Sequence, residues 1–250
     1  MSLTTLQIEF HPIMKMPCFA KNDQMLRLVS IAVFTFWLCL PPKNFANRSV
    51  KYPEIIENKT GTFQFGDILI DKNKRAFSFP ALCNQTRGLV EYALVHENGK
   101  VHESLFRTSL SPRLIHACLL LLKESPQVDF FENVQTAGSD YSKFRTVEIS
   151  VVWEANGTTS QTAINTMVMN QTDDRLLDGN TFVFTGSKVI EGEYLAETDG
   201  SIVAVYHDNR AVVNCMDKES DSDDVWVAKQ ANMPPKEFPV WIHFQLLSKD

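Results

Sequence analysis

The residues with the most chemical character stand together at Gly99-Lys100-Val101-His102-Glu103-Ser104. A His followed directly by a Glu opens the HExxH pattern of zinc peptidases, but Phe106 stands where the second His is needed. That chemistry also requires both imidazoles on one helical face, so no metal is expected here. An imidazole near a hydroxyl offers a different chemistry. On a strand, His102 and Ser104 share a face with Lys100, which allows a polar site for acid–base or nucleophilic work. His102, Glu103 and Ser104 are therefore the candidate catalytic residues. A second polar turn, Phe184-Thr185-Gly186-Ser187, contributes Thr185 and Ser187, which join Lys100 as candidate binding residues.

Other signatures are missing. There is no CxxC, no GxGxxG or Walker loop, no GxSxG elbow and no Ser three positions before a Lys, so no cofactor is expected. The acidic run Asp217–Asp224 fails as a calcium loop, because Ser222 occupies the glycine position, and reads instead as a solvated loop.

The elements that position these residues are strands. Asn98-Gly99 separates VEYALVHE from KVHESLFR and predicts a two-residue hairpin, as does Asp199-Gly200 between EYLAET and SIVAVY. In the first hairpin Val95 faces His102, Leu94 faces Glu103 and Tyr92 faces Leu105. His102 and Glu103 then point to opposite faces. Glu103 falls among Leu94, Val101 and Leu105, where an unpaired charge is very costly. The next element is a helix, capped by Ser111 with Pro112 at its first position, running to about Glu124 before Pro126. It offers Arg113 and His116, and Glu103 is expected to pair with one of them. Such a pair would either lock helix to sheet or hold a perturbed carboxylate for acid–base work. Further strands are expected at 67–70, 76–82, 145–154, 181–185, 193–197, 201–206 and 240–246. The expected fold class is α+β: a largely antiparallel sheet built from hairpins and packed by one main helix, about Pro112–Glu124.

The chain has 250 residues with 44% apolar, 24 Lys+Arg against 30 Asp+Glu and a net charge of −6. Disorder as the dominant state is excluded, and nucleic acid is not an expected partner of so acidic a chain. Leu28–Leu40 is an apolar run preceded by Arg27 and followed by Pro41-Pro42. It is too short to span a bilayer and has the form of a signal-peptide core. Residues 1–46 are read as an extension plus signal peptide, with the true start at Met25 and cleavage after Ala46. The alternative is an uncleaved anchor, which would be the chain's one contact with membrane. Residues 47–250 then form a single domain. Removing the first 46 residues takes four basic and two acidic side chains, leaving 20 against 28 and a net charge of −8. Of the remaining cysteines, Cys118 reads as buried in its helix, and Cys83–Cys215 is the one pair considered for a disulfide.

Several blocks together resemble the YdjY-domain family of exported bacterial proteins, whose biochemical role is uncharacterised. They are GLVEYALVHENGKVHESLF (88–106), RLIHACLLLL, TFVFTGS (181–187), EYLAETDGSIVAV (193–205) and the closing MPPKEFPVWIHFQL. The resemblance implies an exported, periplasmic or envelope-located domain and carries over no catalytic residues. The leading expectation is a non-enzymatic binding or accessory module of the cell envelope with an envelope protein as its partner. The competing one is an enzyme or metal-dependent protein using a polar site around His102 and Ser104.

Overall fold

The computed structural model describes residues 52–58, 61–134 and 141–247. The apolar run Leu28–Leu40, the start at Met25 and the cleavage point after Ala46 lie outside the described residues. The strands are β1 (Ile55–Glu57), β2 (Thr62–Phe65), β3 (Ile68–Asp71), β4 (Ala76–Cys83), β5 (Tyr92–His96), β6 (Ser104–Thr108), β7 (Thr146–Ala155) and β8 (Thr158–Ala163). They continue as β9 (Val168–Asn170), β10 (Phe182–Phe184), β11 (Val189–Ile190), β12 (Glu193–Tyr194), β13 (Ser201–Ala204), β14 (Val213–Cys215), β15 (Trp226–Ala228) and β16 (Pro239–Leu246). The helices are α1 (Pro112–Leu121), α2 (Phe130–Val134) and α3 (Leu195–Asp199). None of them is long and apolar enough to cross a membrane.

Eight strands close on themselves. The order is β4, β16, β7, β10, β14, β13, β5 and β6, and β6 returns to β4 through Leu82–Arg107 and Cys83–Phe106. This closed β-barrel overturns the expected α+β fold packed by a main helix. Closure satisfies the backbone groups that a sheet edge would leave open, so no covering helix is required to bury an edge. The core lies within the ring. In β4, β16 and β7 every second side chain points inward, including Phe77, Phe79, Ile242, Phe244, Ile149 and Val151. The rings of Phe77 and Phe244 stack at 4.8 Å. Helix α1 is an attachment to this core through Ile115, Cys118 and Leu119, and it ends at Leu121. Glu124 beyond it turns inward between Arg145 at 2.6 Å and Arg75 at 3.3 Å.

Neither predicted hairpin forms. β5 and β6 run parallel, with Tyr92 opposite Ser104 and Leu94 opposite Phe106, and Val101–Glu103 makes a turn of 3-10 helix on the way back. β13 and β14 are likewise parallel neighbours. Gly99 and Gly200 are glycines because their backbones touch: a Cβ on Gly99 would sit 2.8 Å from the Asp199 carbonyl oxygen, and one on Gly200 2.8 Å from Gly99 Cα. An Asn-Gly dipeptide that does turn a hairpin is Asn156-Gly157, with φ of 53° and 73°, between β7 and β8. EYLAET is only briefly a strand before α3 begins.

Two further expectations change. Cys83, Cys118 and Cys215 are all free and buried, so the Cys83–Cys215 disulfide is not formed. The Cys83 thiol donates to the Pro234 carbonyl, while Cys215 lies against the Thr181 hydroxyl at 3.3 Å. The acidic run is tied down at its start. Asp217, with its side chain 1% exposed, takes Arg175 Nη1 and Nη2 at 2.7 and 3.1 Å, and Glu219 takes Nη2 at 2.7 Å.

Candidate functional site

The 3-10 turn changes what Lys100–Ser104 can do. Strand alternation no longer applies, and His102 Nε2 lies 2.9 Å from Glu103 Oε1. This contact replaces the expected pairing of Glu103 with Arg113 or His116. Glu103 also shares a hydrogen bond with Glu91, whose carboxyl is pushed up by burial first and by Glu103 second. The Ser104 hydroxyl is fully buried and donates to the Lys100 carbonyl at 2.6 Å, which removes it as a nucleophile for His102.

Lys100 belongs to a different set. Its Nζ donates to the Tyr92 oxygen at 2.6 Å, and the Tyr92 hydroxyl donates to Asp208 Oδ2 at 2.9 Å. Asp208 N–H and Asn214 Oδ1 are bonded at 2.8 Å, and Asn214 Nδ2 donates to Thr185 Oγ1 at 2.8 Å. One hydrogen-bonded chain therefore joins Lys100 on the first parallel crossover to Thr185 beyond β10. Burial, then the charge of Asp208, pushes the Tyr92 phenol above its ordinary value. A phenol held protonated so firmly is a structural donor, not a base poised for neutral pH.

Thr185 and Ser187 come together with Arg113 and His116 instead of with His102 and Ser104. Gly186 has φ of +85°, and a Cβ there would meet Pro126 at 2.7 Å, so the turn depends on glycine. Ser187 Oγ donates to the Arg210 carbonyl at 2.6 Å and accepts from Ala196 N–H at 3.0 Å, fixing the turn to α3. Across from it, His116 Nδ1 and the Tyr194 hydroxyl are hydrogen-bonded at 2.8 Å, and the Arg113 guanidinium lies over the Tyr194 ring at 4.9 Å. Burial holds the His116 imidazole below its ordinary pKa. These residues line a cleft of about 370 Å³, in which the side chains of Thr185, Ser187, His116 and Tyr194 already have hydrogen-bond partners within the protein and the Arg113 guanidinium rests on the Tyr194 ring.

A larger groove, about 500 Å³, runs over the outer face of β4, β16 and β7 to the end of β6. Its outward walls include Trp241, Val152, Pro80, Glu97, Ser109 and Glu154. Trp241 is 43% exposed because it takes the outward parity of β16, between the inward Val240 and Ile242. Arg107 lines the groove too, but its guanidinium is bound by Glu237 at 3.0 and 2.6 Å and by Asn84 at 3.0 Å. The indole N–H of Trp241 and the side chains of Glu97, Ser109 and Glu154 have no hydrogen-bond partner among the described residues, whereas Trp153 takes the inward parity of β7 and packs against the core. Sequence reasoning missed this groove, although Trp241 breaks the polar parity of PVWIHFQL and could have been found by period-two reading. It also missed Tyr92, Asp208 and Asn214, for which no local pattern exists.

Among the described residues, no group of three or more His, Cys, Asp or Glu side chains is arranged to hold a metal ion. No family model, curated protein or solved structure matches the chain.

Proposed function

We propose that the chain is an exported, YdjY-like binding module of the cell envelope that takes its ligand in the Trp241 groove. The observation that carries this reading is the contrast in hydrogen bonding. Around Lys100, Thr185 and Ser187 the polar side chains satisfy one another, as groups that hold a fold together must. Around Trp241 the side chains of Glu97, Ser109 and Glu154 are unengaged among the described residues and face a concave surface, available to a ligand, while those of Arg107 and Thr108 are bonded within the protein. An enzyme built on His102, Ser104 and Ser187 is less well supported, since Ser104 is buried on a backbone carbonyl and Ser187 lines a separate cleft.

The test is retention on bacterial envelopes. Purified mature chain is mixed with sedimented envelope fragments, and the bound fraction is compared with that of Trp241→Ala. Retention of the native chain with release of the variant supports the module. Equal retention of both, or of neither, overturns the groove as its working site.

A further inference from the structure

We infer that the Trp241 groove is a saccharide site, taking a short neutral oligosaccharide with one pyranose ring laid against the Trp241 indole. The inference rests on the binding-module reading and names its ligand class.

An exposed indole face is electron-rich and meets the weakly positive C–H groups on one face of a pyranose ring. Trp241 offers such a face from a rigid strand, held in register with Pro80 of β4 on one side and Val152 of β7 on the other. A ligand that stacks there must also satisfy what surrounds it. Glu97 and Glu154 present carboxylates, which accept hydrogen bonds only, and Ser109 and Thr159 present hydroxyls, which do both. The Trp241 indole N–H adds a donor. A ligand that fits needs an apolar face flanked by many groups able to donate and accept, which describes a sugar. A proline-rich peptide also lies well against exposed Trp, but proline has no N–H to give the carboxylates. The volume of about 500 Å³ suits a chain of a few rings.

Charge narrows the class. The cation in the groove, Arg107, is neutralised by Glu237 in a two-pronged pair. Glu97 and Glu154 then leave the groove negative, so uronic-acid or phosphorylated sugars are repelled. Neutral hexose and N-acetylhexosamine chains are not.

The experiment titrates mature protein with N-acetylglucosamine tetramer, cellotetraose, tetragalacturonate and a proline-rich decapeptide, following heat of binding. Trp241→Ala, Trp241→Phe and the surface variant Glu154→Ala are run in parallel, each checked for a native far-UV spectrum. Binding of at least one neutral tetramer is expected, with tetragalacturonate at least tenfold weaker. Affinity falls at least tenfold in Trp241→Ala and several-fold in Glu154→Ala, and is largely kept in Trp241→Phe. Sugar binding unchanged in both alanine variants, preference for the acidic sugar, or binding of the peptide alone overturns the inference. If no probe binds while envelopes still retain the native chain and release Trp241→Ala, the saccharide class fails and the binding module stands. If envelope retention also fails to depend on Trp241, both fall.

Discussion

Tyr92→Phe is the sharpest test of the hydrogen-bonded chain from Lys100 to Thr185. The ring is fully buried, so the substitution removes one oxygen and keeps the packing. That oxygen accepts from Lys100 at 2.6 Å and donates to Asp208 at 2.9 Å, and both partners are charged groups. Hydrogen bonds to charged groups contribute about 1.5–3 kcal/mol each. Lys100 and Asp208 are half-buried and regain water in the variant, and Asp208 keeps the Arg210 N–H at 2.9 Å. The expected loss is therefore about 2–3 kcal/mol, below the simple sum. Urea denaturation reads it as a lower midpoint with an unchanged slope, and melting should fall by roughly 4–12 °C for a chain of this size. Alkaline pH supplies a second readout. The folded phenol is held above its ordinary value, so stability is full below about pH 10 and falls as pH rises, because only the unfolded phenol releases its proton. Tyr194, also raised by burial, contributes in the same way. The alkaline fall in Tyr92→Phe should be shallower by one proton, about 1.4 kcal/mol per pH unit. A variant as stable as the native chain, with the same alkaline slope, would refute the idea that this network joins the parallel crossovers.

Glycine substitutions separate conformation from crowding. Gly157→Ala, at φ +73° with open space around it, should cost about 1 kcal/mol, whereas Gly186→Ala, at φ +85° against Pro126, should cost about 3 kcal/mol by the same denaturation assay. Glu103→Gln breaks a partly exposed pair with His102 and should change stability by less than about 1 kcal/mol, while Glu91 titrates closer to the ordinary carboxylate range by NMR. Burial pushes the Cys83 thiol up to about 11 and the Cys118 thiol up to about 12, and raises Cys215 as well, so all three should resist a disulfide reagent until urea unfolds the chain.

Much of the strand inventory was legible because one-sided burial leaves a period of two, as in Phe77, Phe79 and Ala81 of β4 or Val240, Ile242 and Phe244 of β16. The Ser111 cap and Pro112 start of α1 were legible for the same local reason. Barrel closure was not. β5 and β6 are buried on both faces, so YALVH and SLFRT have no alternation from which their shared direction could be read. Asn-Gly misled at 98–99 because Gly99 is set by the approach of Gly200, and it was overlooked at 156–157 because TTSQTA of β8 is polar on both faces. Lys100 and Thr185 were singled out as candidate binding residues, and both fall in the hydrogen-bonded chain. Their partners Asp208 and Asn214 lie far along the chain, where only folding brings them near.

The central claim is that Trp241 meets a ligand, and the indole N–H signals of an amide-labelled sample report it directly. Trp226 is an internal control, since it is buried and its indole donates to the Glu219 carbonyl at 3.1 Å. On titration with the N-acetylglucosamine and cellulose tetramers, the Trp241 indole signal is expected to move and saturate while that of Trp226 stays still. A stationary Trp241 signal, with a ligand bound elsewhere or not at all, would contradict that claim.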